Sequence, residues 1–249
     1  MRALSKVALL MTALGLSQPV FSEDYFVDLS IGVASADADN ALNRGTNAVN
    51  GPPSGFDIDA DTVYGIGIGY QINKQFAVAL EYKTREFEPD SSPLPSNPNG
   101  GLPGNNFDVT GQVDAATWMI TGRYDFEPIS SAKPYIKLGL GYADLDTEAT
   151  LFISPLFDSF VANGGDLVGF GSGCAGVPRF CYPDGSDSEF AWSLGAGVAF
   201  DVSKNVAVAL DYQYVSLGDT ATSVDPNGDS LGFDSLAAHE FSAVFQYRF

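Results

Sequence analysis

The sequence predicts an all-β fold, a closed antiparallel eight-stranded up-and-down β-barrel that crosses a membrane. Eight segments alternate bulky apolar residues with small or charged ones, which is the period of 2 expected of strands. The connections between these segments are alternately short and long. The last segment, AHEFSAVFQYRF, has a near-continuous aromatic face, and Val244 is the one apolar residue on its other face. These three observations together predict transmembrane strands rather than a soluble sheet.

The first four predicted strands are 25–34, 61–72, 76–87 and 113–126. The first, YFVDLSIGVA, places Tyr, Val, Leu and Ile on one face. The second, DTVYGIGIGYQI, alternates tyrosine and isoleucine with glycine, and the third, FAVALEYKTREF, alternates apolar residues with Ala, Glu and Lys. The fourth, VDAATWMITGRYDF, offers Trp, Ile, Tyr and Phe on one face. Each strand therefore has one bulky apolar face and one face of small or charged residues.

The last four predicted strands are 135–147, 189–200, 206–215 and 238–249. The fifth, YIKLGLGYADLDT, sets Ile, Leu and Tyr against glycine and charge, and the sixth, EFAWSLGAGVAF, sets Phe, Trp, Leu and Val against Ala, Ser and Gly. The seventh, VAVALDYQYV, alternates Val, Leu and Tyr with Ala, Asp and Gln. The eighth ends the chain. The segment LFISPLFDSFV, at 151–161, could add a further hairpin, which leaves a ten-stranded barrel as an alternative.

The connections alternate in a way that orients the barrel. Those near Asn73-Lys74, 127–134 and 201–205 are short, whereas 35–60, 88–112, 148–188 and 216–236 are long and rich in Gly, Pro, Asn and Asp. Bacterial outer-membrane barrels have an even number of strands, short periplasmic turns and long extracellular loops. Four loops of this length would be unusual in a compact soluble domain. The pattern predicts both termini in the periplasm.

The two faces of each strand predict which side meets lipid. Aromatic residues fall near both ends of the apolar faces, as in the girdles of membrane barrels. The periplasmic set comprises Tyr70, Phe76, Tyr124, Phe126, Phe200, Tyr247 and Phe249, and the extracellular set comprises Tyr64, Tyr82, Trp118, Tyr142, Trp192, Tyr212 and Tyr214. A soluble barrel would place the apolar faces inside, whereas here they are opposed by charge or glycine. We therefore expect the apolar faces outside.

The opposite faces predict a polar, salt-bridged lumen. Their charges are of both signs and should pair across an interior that is about wide enough for side chains to fill. The predicted lumen charge network consists of Asp28, Glu81, Lys83, Arg85, Arg123, Asp125, Lys137, Asp211, Glu240 and Arg248. A narrow polar path for small solutes is the alternative use of the same face.

The final strand resembles the C-terminal strand of Gram-negative outer-membrane barrels, which usually end on Phe with apolar residues at alternate positions upstream. The terminal Phe249, the strand count and the loop alternation are similar to the small OmpA/OmpX-like and opacity-type barrels of the porin family, over residues 23–249. The resemblance implies a monomer in the cell outer membrane, in contact with its lipid and lipopolysaccharide. It also implies that Phe245, Tyr247 and Phe249 are an assembly signal for the barrel-assembly machinery.

Residues 1–22 have the pattern of a cleaved secretory signal peptide. Arg2 and Lys6 precede an apolar core at 7–16, and Val20-Phe21-Ser22 is an acceptable cleavage site. The remaining residues, 23–249, form the predicted barrel domain. The whole chain has a formal net charge of −19, which argues against nucleic acid because nucleic-acid binding needs a basic surface. The four long loops hold 16 Asp or Glu and only Arg44 and Arg179 as basic residues.

The sequence predicts no catalytic residues, no metal ligands and no cofactor. His239 is the only histidine, and no serine follows it in an H-x-S arrangement. We interpret it as a polar anchor at the membrane interface. Divalent cations at the acidic loops are a possible partner, because carboxylates are hard-cation ligands. Cys174 and Cys181 are the only cysteines, and an even count in a secreted chain favours a disulfide between them.

These features predict an outer-membrane β-barrel with a structural or surface-interaction role and acidic extracellular loops. Two alternatives stay open. The first is a narrow, porin-like channel for small solutes, and the second is an adhesin or ligand binder that acts through its loops.

Overall fold

The computed structural model describes residues 24–37, 40–44, 61–88, 107–153, 179–224 and 230–249, and their regular structure is all β. Within these ranges no helix is long and apolar enough to cross a membrane. The strands are β1 (Tyr25–Asp37), β2 (Asn40–Arg44), β3 (Asp61–Gln71), β4 (Phe76–Phe87), β5 (Phe107–Asp125), β6 (Ala132–Ile153), β7 (Arg179–Cys181), β8 (Gly185–Asp201), β9 (Val206–Ala221) and β10 (Ser230–Arg248).

The strands form one closed antiparallel sheet with eight strand positions around the barrel. The order is β1-β3-β4-β5-β6-β8-β9-β10, and β10 pairs with β1 to close the barrel. Strand β2 pairs with β10 beyond the end of β1, so it continues the position of β1 in the sheet. Strand β7 pairs with β6 beyond the end of β8, so it continues the position of β8. The predicted eight-stranded barrel is therefore confirmed. Residues 151–153 of the segment proposed as an extra hairpin are the end of β6, and 154–161 lie outside the described residues.

The register gives the barrel a steep strand tilt. A path of paired residues that leaves β1 at Phe26 runs through Gly69, Ala79, Thr121, Gly139, Ser193, Val215 and Ala238. It returns to β1 at Ala36, ten positions further along the strand. Such an offset is the shear that a closed sheet requires, and it tilts every strand relative to the barrel axis.

Short turns join the strands at the periplasmic end. In the first, the N–H of Ile72 donates to the carbonyl of Phe76, and Asn73 Oδ1 accepts the N–H groups of Gln75 and Phe76 at 2.9 and 3.0 Å. Asn73 thus caps the turn with its own side chain, as asparagine commonly does. The N–H of Val202 donates to the carbonyl of Val206 in the turn before β9.

Several strands are longer than predicted at the opposite end, where the long connections lie. Strand β5 begins at Phe107 rather than at 113, β6 ends at Ile153 rather than at 147, and β10 begins at Ser230 rather than at 238. Strands β8 and β9 likewise reach beyond the predicted 189 and 215. The segments predicted as long loops therefore contain the extracellular ends of the barrel strands.

The outer wall carries a belt of exposed apolar side chains. Ile120 and Leu210 are 64% and 65% exposed, although both lie in the middle of paired strands, which fits a wall that faces lipid rather than water. The belt also contains Ile31, Leu80, Leu138, Leu140, Leu194, Phe241 and Phe245. The lumen behind it contains buried charged residues. Over the height of the belt, the structure has the predicted arrangement, with apolar residues outside and polar residues inside.

Above the belt the two faces exchange polarity. On the outside, Asp114, Asp144 and Asp146 are exposed. On the inside, a contiguous apolar group fills the lumen: Val63, Phe87, Val113, Ala115, Leu145, Val215, Leu217, Phe233 and Leu236, all of them buried. Beyond the hydrocarbon the outer wall meets water, so the apolar residues turn inward as in a soluble barrel. The expectation of a polar lumen is wrong for this upper part, which we call the extracellular extension.

Irregular backbone at the top of β9 and β10 shapes this extension. Gly218 has φ of +92°, and a Cβ there would lie 2.6 Å from Cβ of Glu189, so a glycine is required on both counts. Ser235 has φ of +54°, next to the register shifts in β10, and its N–H donates to Asp219 Oδ1 at 2.7 Å. Above Trp192 and Ser216 the β8–β9 ladder ends, and Asp187 Oδ2 accepts the N–H of Ala221 at 2.8 Å instead.

Candidate functional site

The lumen is the candidate functional site, and its upper charged group is centred on one carboxylate. Lys83 Nζ lies 2.8 Å from Glu240 Oε2 and donates to Gln213 Oε1 at 2.7 Å. Arg85 Nη1 lies 3.2 Å from Glu240 Oε1, an ion pair without hydrogen-bond geometry, and Arg85 Nη2 donates to Thr117 Oγ1 at 2.9 Å. Strands β4, β5, β9 and β10 thereby meet across the lumen, because a period of 2 points these side chains to one side.

A second charged group lies nearer the periplasm and is centred on Lys137. Its Nζ is 2.5 Å from Asp211 Oδ2 and 3.8 Å from Glu81 Oε2. Thr121 donates its hydroxyl to Glu81 Oε1 at 2.9 Å, and Tyr135 donates its hydroxyl to Asp211 Oδ1 at 3.0 Å. Both carboxylates thus have a cation and a neutral donor, the pairing that buried charge needs.

Arg123 forms the floor of this second group. Its guanidinium lies 5.1 Å from the ring centroid of Tyr135 and 5.9 Å from that of Phe26, and its Nε is 3.1 Å from Asp125 Oδ1. Two cavities meet at this floor. One, of about 50 Å³, lies inside the lumen, and the other, of about 390 Å³, is a vestibule at the periplasmic end; Phe26 and Arg123 line both.

Asp28 faces the inner cavity without an ion pair among the described residues. Its Oδ1 has no hydrogen-bond partner in the part of the chain that the structure describes. A polar cavity of this size has room for a few water molecules, which need two to four polar partners. Asp28, Glu81, Lys137 and Gln246 all line it and supply such partners.

The structure places most of the predicted lumen charges inside the barrel, and Arg248 lies at its periplasmic mouth. Arg248 Nη1 lies 3.0 Å from Asp201 Oδ1 at the rim, and Lys133 contacts the same carboxylate. Arg248 Nε also donates to Gln246 Oε1 at 2.9 Å, and the side chain lines the vestibule. The side chain lies on the predicted face of β10, but at the end of the strand, beyond the other lumen charges.

Sequence reasoning did not single out three interior hydroxyls that the structure brings to the charges: Thr121 and Tyr135 donate to carboxylates, and Thr117 accepts from Arg85. Thr117, Thr121 and Tyr135 complete the coordination of Arg85, Glu81 and Asp211. Thr121 and Tyr135 could have been found by parity, since each shares a face with a named charge two positions away, whereas Thr117 has Ala115 and Met119 at those positions.

Other predicted residues lie outside the lumen or outside the described residues. Phe245 and Tyr247 face outward, and the ring of Tyr247 packs edge-on against Phe249 at 5.2 Å. Cys174 is not among the described residues, and the structure describes only the backbone of Cys181, so the disulfide stays a prediction. His239 lies on the outer wall, with Nδ1 2.7 Å from the Tyr212 hydroxyl.

A closed barrel with an apolar belt outside and paired charges inside defines a β-barrel membrane protein. The chain belongs to the family described as the outer membrane protein beta-barrel domain, whose model matches residues 7–249. It is accordingly a protein of the Gram-negative outer membrane.

Known proteins show the same architecture. The chain is 28% identical over 149 residues to outer membrane protein PagN of Salmonella typhimurium, a match that covers 58% of this chain and only 54% of PagN. The outer membrane protein OprG of Pseudomonas aeruginosa superposes with a TM-score of 0.50 at 14% identity, over 91% of this chain and 97% of OprG. Neisserial surface protein A gives a TM-score of 0.42 at 18% identity, over 92% and 98%. At these identities the solved structures show the fold alone.

Proposed function

We propose that this protein is a closed barrel that presents its extracellular extension to molecules outside the cell. The observation that carries the proposal is the exchange of polarity above the belt. An apolar group fills the lumen there, while carboxylates occupy the outer wall. The barrel is then a scaffold, and the surface above the membrane makes the contacts.

The interior supports a scaffold rather than a path. Lys83, Arg85 and Glu240 are each less than 10% exposed and are tied together across the lumen. Opening a route between them would separate buried charges, which costs several kcal/mol unless water replaces every contact. The apolar group above would also have to part and expose its side chains to water.

The outer wall of the extension supports a role in contacts outside the cell. Glu86 of β4 pairs in register with Asp114 of β5, which pairs in turn with Asp146 of β6. Like charges directly opposite one another destabilise a sheet, so this arrangement is not explained by stability of the fold. A partner with basic groups would relieve the repulsion.

Planar-bilayer conductance of the refolded full chain tests the closed lumen. We expect no conductance steps from a sample that migrates faster unboiled than boiled in gels, and none from its Lys83→Ala and Arg85→Ala variants. Lys133→Ala is the matched control, because its ion pair lies at the periplasmic rim. Reproducible steps whose size changes in Lys83→Ala but not in Lys133→Ala would contradict the proposal and favour the small-solute channel.

Binding by whole cells tests the surface role. A variant in which Asn-Gly replaces 154–178 joins the ends of β6 and β7, which pair with each other, through a short hairpin loop, and Cys181→Ser avoids leaving one thiol. We expect cells that display this variant to adhere less to epithelial or abiotic surfaces than cells with the full chain and Cys174→Ser with Cys181→Ser. Equal adhesion of the two, at equal surface levels of folded barrel, would contradict a role for this loop.

A further inference from the structure

A continuous row of rings lies on the outer wall where β8, β9 and β10 meet. The centroid distances are 5.5 Å from Trp192 to Tyr214, 5.2 Å from Tyr214 to His239, 6.0 Å from His239 to Tyr212, and 4.9 Å from Tyr212 to Phe241. The register explains the contact, since Tyr214 pairs with His239 and Tyr212 with Phe241. We call these five residues the ring row.

The ring row contains the one histidine of the chain, and that histidine is held by polar partners on both sides. Nδ1 is 2.7 Å from the Tyr212 hydroxyl, and Nε2 is 3.4 Å from Asp37 Oδ2. Asp37 has a side chain that is 76% exposed. An ionisable pair on the lipid-facing wall of a membrane protein is expensive, and such groups commonly mark a functional site.

The depth of the ring row coincides with the extracellular edge of the belt. Below it on the same wall lie Leu194, Leu210 and Phe245, all exposed and apolar. Above it the outward residues are the exposed Phe190, then Ser188, and Ser216. In a Gram-negative outer membrane, this edge meets the sugar headgroups of lipopolysaccharide in the outer leaflet.

We infer that the ring row binds the glucosamine headgroup of lipopolysaccharide. Aromatic faces pack against the C–H faces of a hexose, while tyrosine hydroxyls hydrogen-bond on the aqueous side. Asp37 supplies an acceptor for a sugar hydroxyl, and His239, held between Tyr212 and Asp37, positions that carboxylate. The chemistry selects the sugar and not its phosphates, because Asp37 repels an anion. Moreover, the lysines and arginines whose side chains are described lie in the lumen or at the periplasmic end.

A second ring contact at similar depth offers a matched control. Tyr82 and Trp118 pack at 4.7 Å across β4 and β5, also on the outer wall near the extracellular edge. No histidine or carboxylate contact is present at that pair among the described residues. A generic preference of aromatic rings for the interface would therefore affect both places, whereas a sugar site would affect only the ring row.

The lone histidine makes the first measurement selective. Protein labelled with ¹⁵N-histidine gives one imidazole spectrum once it is refolded without a tag. We expect its signals to shift when phospholipid nanodiscs are replaced by nanodiscs containing rough-type lipopolysaccharide, and to shift equally with dephosphorylated lipopolysaccharide. Identical spectra in the first two bilayers would overturn the inference. A shift that requires the phosphates would overturn the choice of the sugar.

Retention of lipopolysaccharide after exchange into detergent gives a second readout on the variants. We expect Tyr214→Leu to retain roughly fivefold less per barrel than wild type, the change that about 1 kcal/mol of ring contact produces. Asp37→Asn alters an exposed side chain, so it should fold normally and also retain less. Tyr82→Leu should retain as much as wild type. Equal losses in Tyr82→Leu and Tyr214→Leu, or no loss in Asp37→Asn, would overturn the site.

Discussion

Glu240 is the residue on which the upper charged group of the lumen depends. It forms ion pairs with both Lys83 and Arg85, and all three side chains are almost fully buried. A buried ion pair adds little net stability when it forms, because desolvation offsets attraction. Removing one partner is much worse, since the remaining charges stay buried and unpaired. None of the three side chains can therefore be replaced alone without leaving a buried charge short of a partner.

We expect Glu240→Gln to lower the free energy of unfolding by about 3–5 kcal/mol, the usual cost of breaking a buried pair. Urea unfolding of the barrel refolded in liposomes measures it. Lys133→Ala, which breaks the partly exposed rim pair with Asp201, should cost less than about 1 kcal/mol. A Glu240→Gln variant as stable as Lys133→Ala would mean that water already solvates the lumen charges.

Leu210 and Asp144 test the outer wall at two depths. We expect Leu210→Arg to cost about 2–4 kcal/mol, because its side chain projects into hydrocarbon. Asp144→Arg also faces outward, but it lies above the belt and should leave stability nearly unchanged. The same urea experiment compares them. If both variants were equally stable, the boundary that we place between belt and extension would be wrong.

Parity along a strand was enough to find most of the candidate site. Lys137, Asp211 and Glu240 alternate with bulky residues, and Lys83 and Arg85 share the parity of Glu81, so their face followed from the sequence alone. The position of each charge along the barrel axis did not follow from parity in the same way. Arg248 has the same parity, but it lies where β10 ends, and only the register shows that it meets Asp201 of β8 at the rim. Pairing partners likewise depend on the shear of the closed sheet, which a single strand does not encode.

At the scale of the element, β5 and β6 show why strand ends were missed. The alternation of Val113, Asp114 and Ala115 continues the period of the strand without a break. Its apolar residues simply change sides, because water replaces hydrocarbon outside. The predicted strands 113–126 and 135–147 already contain this change of sides, and the residues missed are 107–112 and 148–153, which were counted with the long polar connections. The hydrogen-bonded ladder continues to the pair of Phe107 with Ile153.

The two faces of β6 give a matched pair of substitutions. Leu145 is fully buried in the apolar group of the extension, whereas Leu138 is 52% exposed on the belt. We expect Leu145→Ala to cost about 2–5 kcal/mol, as truncation in a packed core does. Leu138→Ala leaves no internal cavity and should cost clearly less. Urea midpoints of the two variants measure the difference, and the reverse order would argue against a packed interior above the belt.

At the scale of the whole molecule, charge fixes how deep the barrel sits. Carboxylates border the belt above, and Lys133, Asp201 and Arg248 border it below. Hydrophobic mismatch in either direction costs fractions of a kcal/mol per Å. The belt should therefore select one bilayer thickness.

We expect the urea midpoint to be highest in one member of a series of phosphatidylcholines of increasing acyl-chain length and to fall in thicker bilayers. The variant Asp144→Leu with Asp146→Leu raises the upper edge of the apolar wall, so its optimum should move to longer chains. Asp187 lies in the same extension but bonds to Ala221 N–H, so Asp187→Asn should leave the optimum in place. An unchanged optimum in the double variant would show that these carboxylates do not set the depth.

The acidic outer wall of the extension also bears on how long the protein persists once assembled. Withdrawal toward the periplasm would carry Asp114, Asp144 and Asp146 through hydrocarbon, and the apolar group inside would have to come apart at the same time. Both costs arise on the way out and add to the activation barrier. The lifetime of the inserted barrel is then governed by a slow rate of escape rather than by its equilibrium stability.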